Sequence, residues 1–206
     1  MTRMTRMFAP ALLLGAFVAL PARAQGILPF SAEVRGGVAL PQGDFNDGAD
    51  TGWGIGGTLR YRIAPMVDVY AGYDRFSFGA DSSSDFDEGV DVSIRDEGFR
   101  AGARFTFPLA STLTGLSPWV EGGATFNRTT LHASDGSASI DVNSDRSVGF
   151  EVGAGLNFAV APRVSLSPGV RYRSHKASFD DAIDGGDGSD VDANYFVVEV
   201  GLSIHP

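Results

Sequence analysis

Residues Leu59 to Tyr73 read LRYRIAPMVDVYAGY, and residues Leu156 to Val170 read LNFAVAPRVSLSPGV. In both stretches apolar residues alternate with polar ones up to an Ala-Pro pair and alternate again after it. That period of two is the signature of a tight antiparallel hairpin. Leu59, Tyr61 and Ile63 share one side of the first strand, and Thr58, Arg60 and Arg62 share the other. The apolar side must either pack in a water-soluble core or face lipid, and the functional reading follows from that choice.

The same alternation continues outward in both directions. It predicts eight strands: Ser31 to Leu40, Gly52 to Ile63, Val67 to Phe78, Glu97 to Phe107, Pro118 to Arg128, Ser147 to Val160, Val164 to Ser174 and Asn194 to Ile204. Most are about ten residues or more, above the ~5–6 usual in globular sheets and close to the ~9–11 of a tilted membrane strand. Short connections, Ile63 to Met66, Val160 to Arg163 and a moderate Pro108 to Ser117, alternate with longer Gly/Asp/Ser-rich ones. The latter are Pro41 to Thr51, Gly79 to Asp91, Ala133 to Arg146 and Phe179 to Ala193. Short turns at one end and long loops at the other describe an all-β, eight-stranded antiparallel up-and-down transmembrane β-barrel.

Which face is inside follows from side-chain volume. Val34, Val38, Trp53, Ile55, Leu59, Val69, Val152, Leu156, Val198, Val200 and Leu202 share the apolar parity. The other parity carries a charge array of Glu33, Arg35, Arg60, Arg62, Asp68, Asp74, Arg100, Arg104, Glu121, Glu151, Arg171, Arg173 and Glu199, interleaved with glycines such as Gly54, Gly72, Gly102, Gly123, Gly155, Gly169 and Gly201. A solvated outer face has no reason to shed volume, whereas the lumen of a small barrel needs space beside long side chains. The polar side is therefore expected inside and the apolar side against lipid. Aromatic girdles are expected from Trp53, Phe76, Phe99, Phe126 and Phe196 at the loop ends and from Tyr61, Phe107, Trp119 and Phe158 at the turn ends. The competing reading is a secreted soluble sandwich or lipocalin-like barrel. It would need a surface whose basic charge is almost all arginine, Lys176 being the one lysine.

Composition narrows the function. Arg3 and Arg6 precede an apolar run from Met7 to Leu20, and Ala22-Arg23-Ala24 forms a small-residue cleavage site, so residues 1–24 read as a secretory signal peptide and residues 25–206 as the barrel domain. The apolar run is shorter than the ~20 residues of a membrane-spanning helix. Cleavage removes three arginines and no acid, taking the formal charge from -9 to -12. Nucleic-acid binding, which needs a basic face, is disfavoured. The chain has no cysteine, which excludes disulfides, thiol nucleophiles and thiolate metal sites.

With eight strands, short turns and VALPQGDFNDGADTGWGIGGTLRY from Val38 to Tyr61, the chain resembles the OmpA-type outer-membrane β-barrel family, small porin-like barrels of Gram-negative bacteria. The resemblance implies insertion by the barrel-assembly machinery, residence among outer-membrane lipid and lipopolysaccharide, and a monomer. Some members carry a peptidoglycan-gripping domain, which is not expected after a strand ending at His205-Pro206. Two departures stand out: the last strand, NYFVVEVGLSIHP, does not finish on an aromatic residue, and Pro168 falls inside the seventh strand, where a bulge is expected. Small barrels that trim lipid A carry His and Ser two apart followed by Asn. Here His175 and Ser178 are three apart, so no enzyme is expected and no cofactor.

Two features remain for function. The inner array could line a narrow water-filled channel for small solutes or form a closed salt-bridged plug, and at eight strands side chains just fill the interior. The loops hold most of the acids, and GGDGSDVDA, Gly185 to Ala193, fits most of a Ca²⁺-binding nonapeptide in a single copy. Weak Ca²⁺ or Mg²⁺ ligation by Asp184, Asp187, Asp190 and Asp192 is the expectation there. The reading favoured is a non-enzymatic structural or surface-interaction barrel.

Overall fold

The computed structural model describes residues 29–79, 91–107, 116–134, 139–179 and 189–205. The expected signal peptide lies outside the described residues, as do Asp184 and Asp187. The strands are β1 (Phe30–Gln42), β2 (Gly52–Ala64), β3 (Val67–Gly79), β4 (Asp91–Thr106), β5 (Leu116–Ser134), β6 (Ser139–Asn143), β7 (Ser147–Ala161), β8 (Val164–Phe179) and β9 (Ser189–Ile204). Each long strand pairs antiparallel with the next, β5 pairing with β7, and β1 returns to β9 in continuous register from Ala32↔Ile204 to Gln42↔Asn194. Eight staves thus close into a barrel. Closure pairs the backbone of first and last strands, which is what permits apolar side chains on the outside without an exposed edge in lipid.

The ninth strand, β6, is short and lies in the segment expected to be a loop. It folds back on the far end of β5, with Leu131↔Val142 and His132↔Asp141 opposed and a 2.5 Å contact between His132 Nδ1 and Asp141 Oδ1. β4 and β9 likewise begin earlier than expected, at Asp91 and Ser189. Polar residues do not end a strand whose neighbour still offers a ladder, so pairing carries on past the apolar band.

The two Ala-Pro turns behave alike: each is flanked by a register shift, between Arg62 and Ala64 in β2 and between Ala159 and Ala161 in β7. The bulge expected at Pro168 is not there. Pro168 keeps its place opposite Val200, and the β7–β8 ladder resumes at Phe158↔Leu166 in the register it had at Gly155↔Gly169. Proline's missing N–H leaves a gap in the ladder, which Ser167 spans by donating from Oγ to Asn157 Oδ1 at 2.6 Å.

The faces fall as the volume argument requires. Trp53 is 66% exposed, and Leu59, Val152, Val198, Val200 and Leu202 also project outward. Glu33, Arg35, Asp74, Arg104, Glu151 and Arg171 are buried inside. Two girdle assignments need correction: Phe76 is 3% exposed and Trp119 is 1% exposed, both inside the barrel. Phe76 shares the parity of Asp74, and Trp119 that of Glu121; parity outweighs closeness to a strand end.

Candidate functional site

The lumen holds two kinds of filling, stacked along its axis. Toward the turn end and the middle it is ionic. Glu121, projecting from β5, accepts from Arg104 Nε at 2.7 Å and Nη2 at 2.5 Å on one oxygen, and from Arg171 Nε at 3.1 Å and Nη2 at 2.9 Å on the other. Arg171 also donates to Glu199 at 2.6 Å, and Arg35 reaches Glu199 at 3.0 Å. Glu33 accepts from Arg35, from Arg60 and from Ser203 Oγ. Higher up, Glu151 accepts from Tyr70 Oη at 2.7 Å, Arg100 at 2.8 Å and Arg173 at 3.2 Å, while Asp74 receives Arg100 and Arg173 at 3.0 Å each. Charge-assisted, bidentate contacts of this sort fix side-chain direction as well as energy.

The glycines explain how so many long side chains fit. A Cβ at Gly102 or Gly123 would sit 2.7 or 2.6 Å from Tyr70 Oη, and one at Gly155 or Gly169 would meet Trp119 Cζ2 at 2.5 or 2.6 Å. Flat glycine patches are thus the seats of inward aromatic rings, in addition to making room beside arginines. Arg104 lies 3.9 Å over the Trp119 ring, so the ring floors the ionic layer.

At the loop end the filling becomes apolar. Ala39, Phe76, Phe78, Ile94, Ala193, Tyr195 and Val197 project from β1, β3, β4 and β9 and surround Phe45. Phe45 arrives on a short 3-10 helix, Gly43–Asp47, whose first residue takes φ 58°, a left-handed value that suits glycine. Phe45 meets Phe78 edge-on at 5.1 Å, and Tyr195 meets Phe76 and Phe78 at 5.4 and 5.3 Å. Tyr195 joins the two layers: its hydroxyl donates at 2.6 Å to Asp96, which also accepts from Asn127 at 3.0 Å and stands 3.5 Å from His175 Nε2.

Of the residues expected in the charge array, all but one are buried in the lumen. Arg62 stands at the turn-end mouth with its side chain 53% exposed, 3.0 Å from Asp68. The acidic candidates are not brought together. Asp190 is opposite Ser178 in the β8–β9 ladder, Asp192 is exposed opposite Lys176, and no cluster of three or more His, Asp or Glu poised for a metal occurs among the described residues. Sequence reading missed Asp96, Tyr70, Tyr195 and Phe45. Asp96 fell outside a strand expected to start one residue later; had the alternation of Asp96, Gly98 and Arg100 been extended, it would have been found. Nothing local marks Phe45.

A closed, alternating barrel with an ionic interior and an apolar belt is the architecture of a small outer-membrane protein. Residues 9–203 match the outer membrane protein beta-barrel domain, and the chain belongs to that family, which places it in the cell outer membrane. Similar solved structures include Neisserial surface protein A, 19% identical over 86% of this chain and 97% of that one with a TM-score of 0.62. The outer membrane protein OprG from Pseudomonas aeruginosa is 16% identical over 88% and 99%, TM-score 0.54. A major outer membrane protein from Thermus thermophilus is 12% identical over 85% and 98%, TM-score 0.54. At such identities the likeness is one of fold. No curated protein matches the sequence.

Proposed function

We propose that this chain is a non-enzymatic barrel of the outer membrane that serves envelope architecture and surface interaction, with a lumen that does not conduct. The observation that carries this reading is the double filling: an ionic layer topped by the Phe45 cluster occupies the bore between its two ends. A narrow solute channel would need a continuous wet path past both layers. His175 faces Asp96 and Thr129 through the same ring nitrogen, an arrangement that serves burial better than proton relay.

Planar-bilayer recording of the refolded protein tests the reading. Silence is expected for the native chain, and steady unitary currents would favour the channel. Incubation with purified lipid A is expected to leave its acyl chains intact. In the same reading the barrel is delivered by the barrel-assembly machinery and works as a monomer, a state that closure of β1 on β9 supports because no stave is left for a partner strand. The acidic loops, Asp184, Asp187, Asp190 and Asp192 among them, would engage Ca²⁺ or Mg²⁺ collectively and weakly. Calorimetry before and after replacing those four by Asn checks this, and unchanged heats would remove the metal role.

A further inference from the structure

Of the basic residues outside the leader, seven belong to the lumen or its mouth and six face outward. Of those six, Arg163 sits in a turn at the turn end and Lys176 is opposed by Asp192. The other four, Arg75, Arg95, Arg128 and Arg146, gather at the loop end of one wall. The register places Arg75, Glu97 and Arg128 in one row across β3, β4 and β5, with Arg95 in the next row outward. Arg146, just before β7, lies 5.9 Å over the ring of Phe126. Among the described residues, the row that holds Arg75 and Arg128 carries one carboxylate, Glu97. Arg95 and Arg128 are each half-buried, and their Nε atoms are shielded and lack an acceptor among the described residues.

Directly beneath lies a row of Tyr73, Phe99 and Phe126, the interfacial girdle of this wall. From Val67 to Arg75 is about 26 Å along the strand and, at a tilt of ~40°, about 20 Å along the barrel axis, near the top of an apolar band ~25 Å tall, and the long arginine side chains carry their guanidiniums from there up to headgroup height. Below the girdle the same three strands turn small at one outward row, Ala71, Ala101 and Ala124, and β4 and β5 stay small in the next, where Ala103 and Gly122 stand beside Val69 of β3. A Cβ at Gly122 would meet nothing closer than 3.7 Å, so the depression is open. The opposite wall, by contrast, presents Val34, Val170, Val198, Val200 and Leu202. Charge above and a shallow trough below coincide on the same staves.

We propose that this wall binds one molecule of lipid A in the outer leaflet, its phosphates on the arginines and its acyl chains along the alanine trough. Arg75 and Arg128 are two strands apart, about 9.6 Å, which is too far for one phosphate and suited to a headgroup phosphorylated at both ends. This site does not depend on whether the lumen conducts, nor on the acidic loops, which are of the opposite charge.

Native mass spectrometry of the refolded mature protein, with bis-phosphorylated lipid A, monophosphoryl lipid A and phosphatidylglycerol as probes, tests it. One retained lipid A is expected on the native chain. Retention should fall about 100-fold in the triple variant Arg75→Gln, Arg95→Gln, Arg128→Gln, and about tenfold when one phosphate is missing. Arg163→Gln with Lys176→Gln should change nothing. Ala101→Phe, which fills the trough and leaves every charge, should also release the lipid. Heat-modifiable gel migration confirms folding of each variant; should the triple not fold, Arg75→Gln and Arg128→Gln alone must each lose about fivefold. Equal retention by the native chain and the triple variant overturns the site, phosphatidylglycerol held as firmly as lipid A overturns the lipid, and an unaffected Ala101→Phe overturns the trough.

Discussion

The two halves of the lumen fill the same cylinder by different physics. Around Glu121 and Arg171 the bore is occupied by charges whose worth lies in pairing: four guanidinium nitrogens converge on the two oxygens of one carboxylate. Around Phe45 it is occupied by rings and methyl groups whose worth lies in volume. The ionic half tolerates no missing member, because its neighbour becomes a bare buried charge, while the apolar half can relax around a smaller one. Outside the barrel the order is reversed, with lipid accepting the apolar belt that water would reject.

The sharpest way to break this contrast is a single cut in the ionic layer. Glu121→Ala, and equally the near-isosteric Glu121→Gln, is expected to cost about 3–5 kcal/mol, read from urea unfolding of barrel refolded in bilayers. Removing Arg171 in the same chain should cost less than the two single losses together. A cost below about 1 kcal/mol for Glu121→Gln would mean that the layer is wet and its charges are solvated.

In the apolar half, Phe45→Ala should cost about 3 kcal/mol, the low end of the range for a buried ring, since its 3-10 helix can settle inward. Phe45→Leu should recover most of that. If leucine failed to rescue, the ring would be acting through something other than volume. The joint between the halves is tested by Tyr195→Phe, which keeps the ring and removes the hydroxyl donated to Asp96. About 2 kcal/mol is the expected loss. The smallest effect belongs to Thr58→Ser, which keeps the hydroxyl that accepts from Arg100 and drops one methyl; ~1 kcal/mol or less is expected in the same unfolding assay.

Strand parity carried most of what could be read early. Once the arginines and glycines were seen to share one side, the sign of both faces followed for every stave, because a period of two leaves only two sets to choose from. The same rule applied to Phe76 and Trp119 would have kept them out of the girdles; closeness to a strand end is a weaker guide than the face of Asp74 or Glu121. Strand ends were harder. β4 gained Asp91 to Asp96 because β3 and β5 were there to receive it, a fact of its neighbours and not of its own residues.

By itself the sequence determined the staves, their order of short and long connections, the lipid-facing belt and the buried charges of the lumen other than Asp96. Only the tertiary structure decided who meets whom. Arg35 reaches Glu199 across 164 residues, and Arg173 reaches Asp74 across 99. Those pairings depend on the stagger with which the ring closes, and stagger is a property of the whole circuit of strands. Phe45 entered the bore for a similar reason: its seat is made by residues of β1, β3, β4 and β9, and exists only after the barrel has closed.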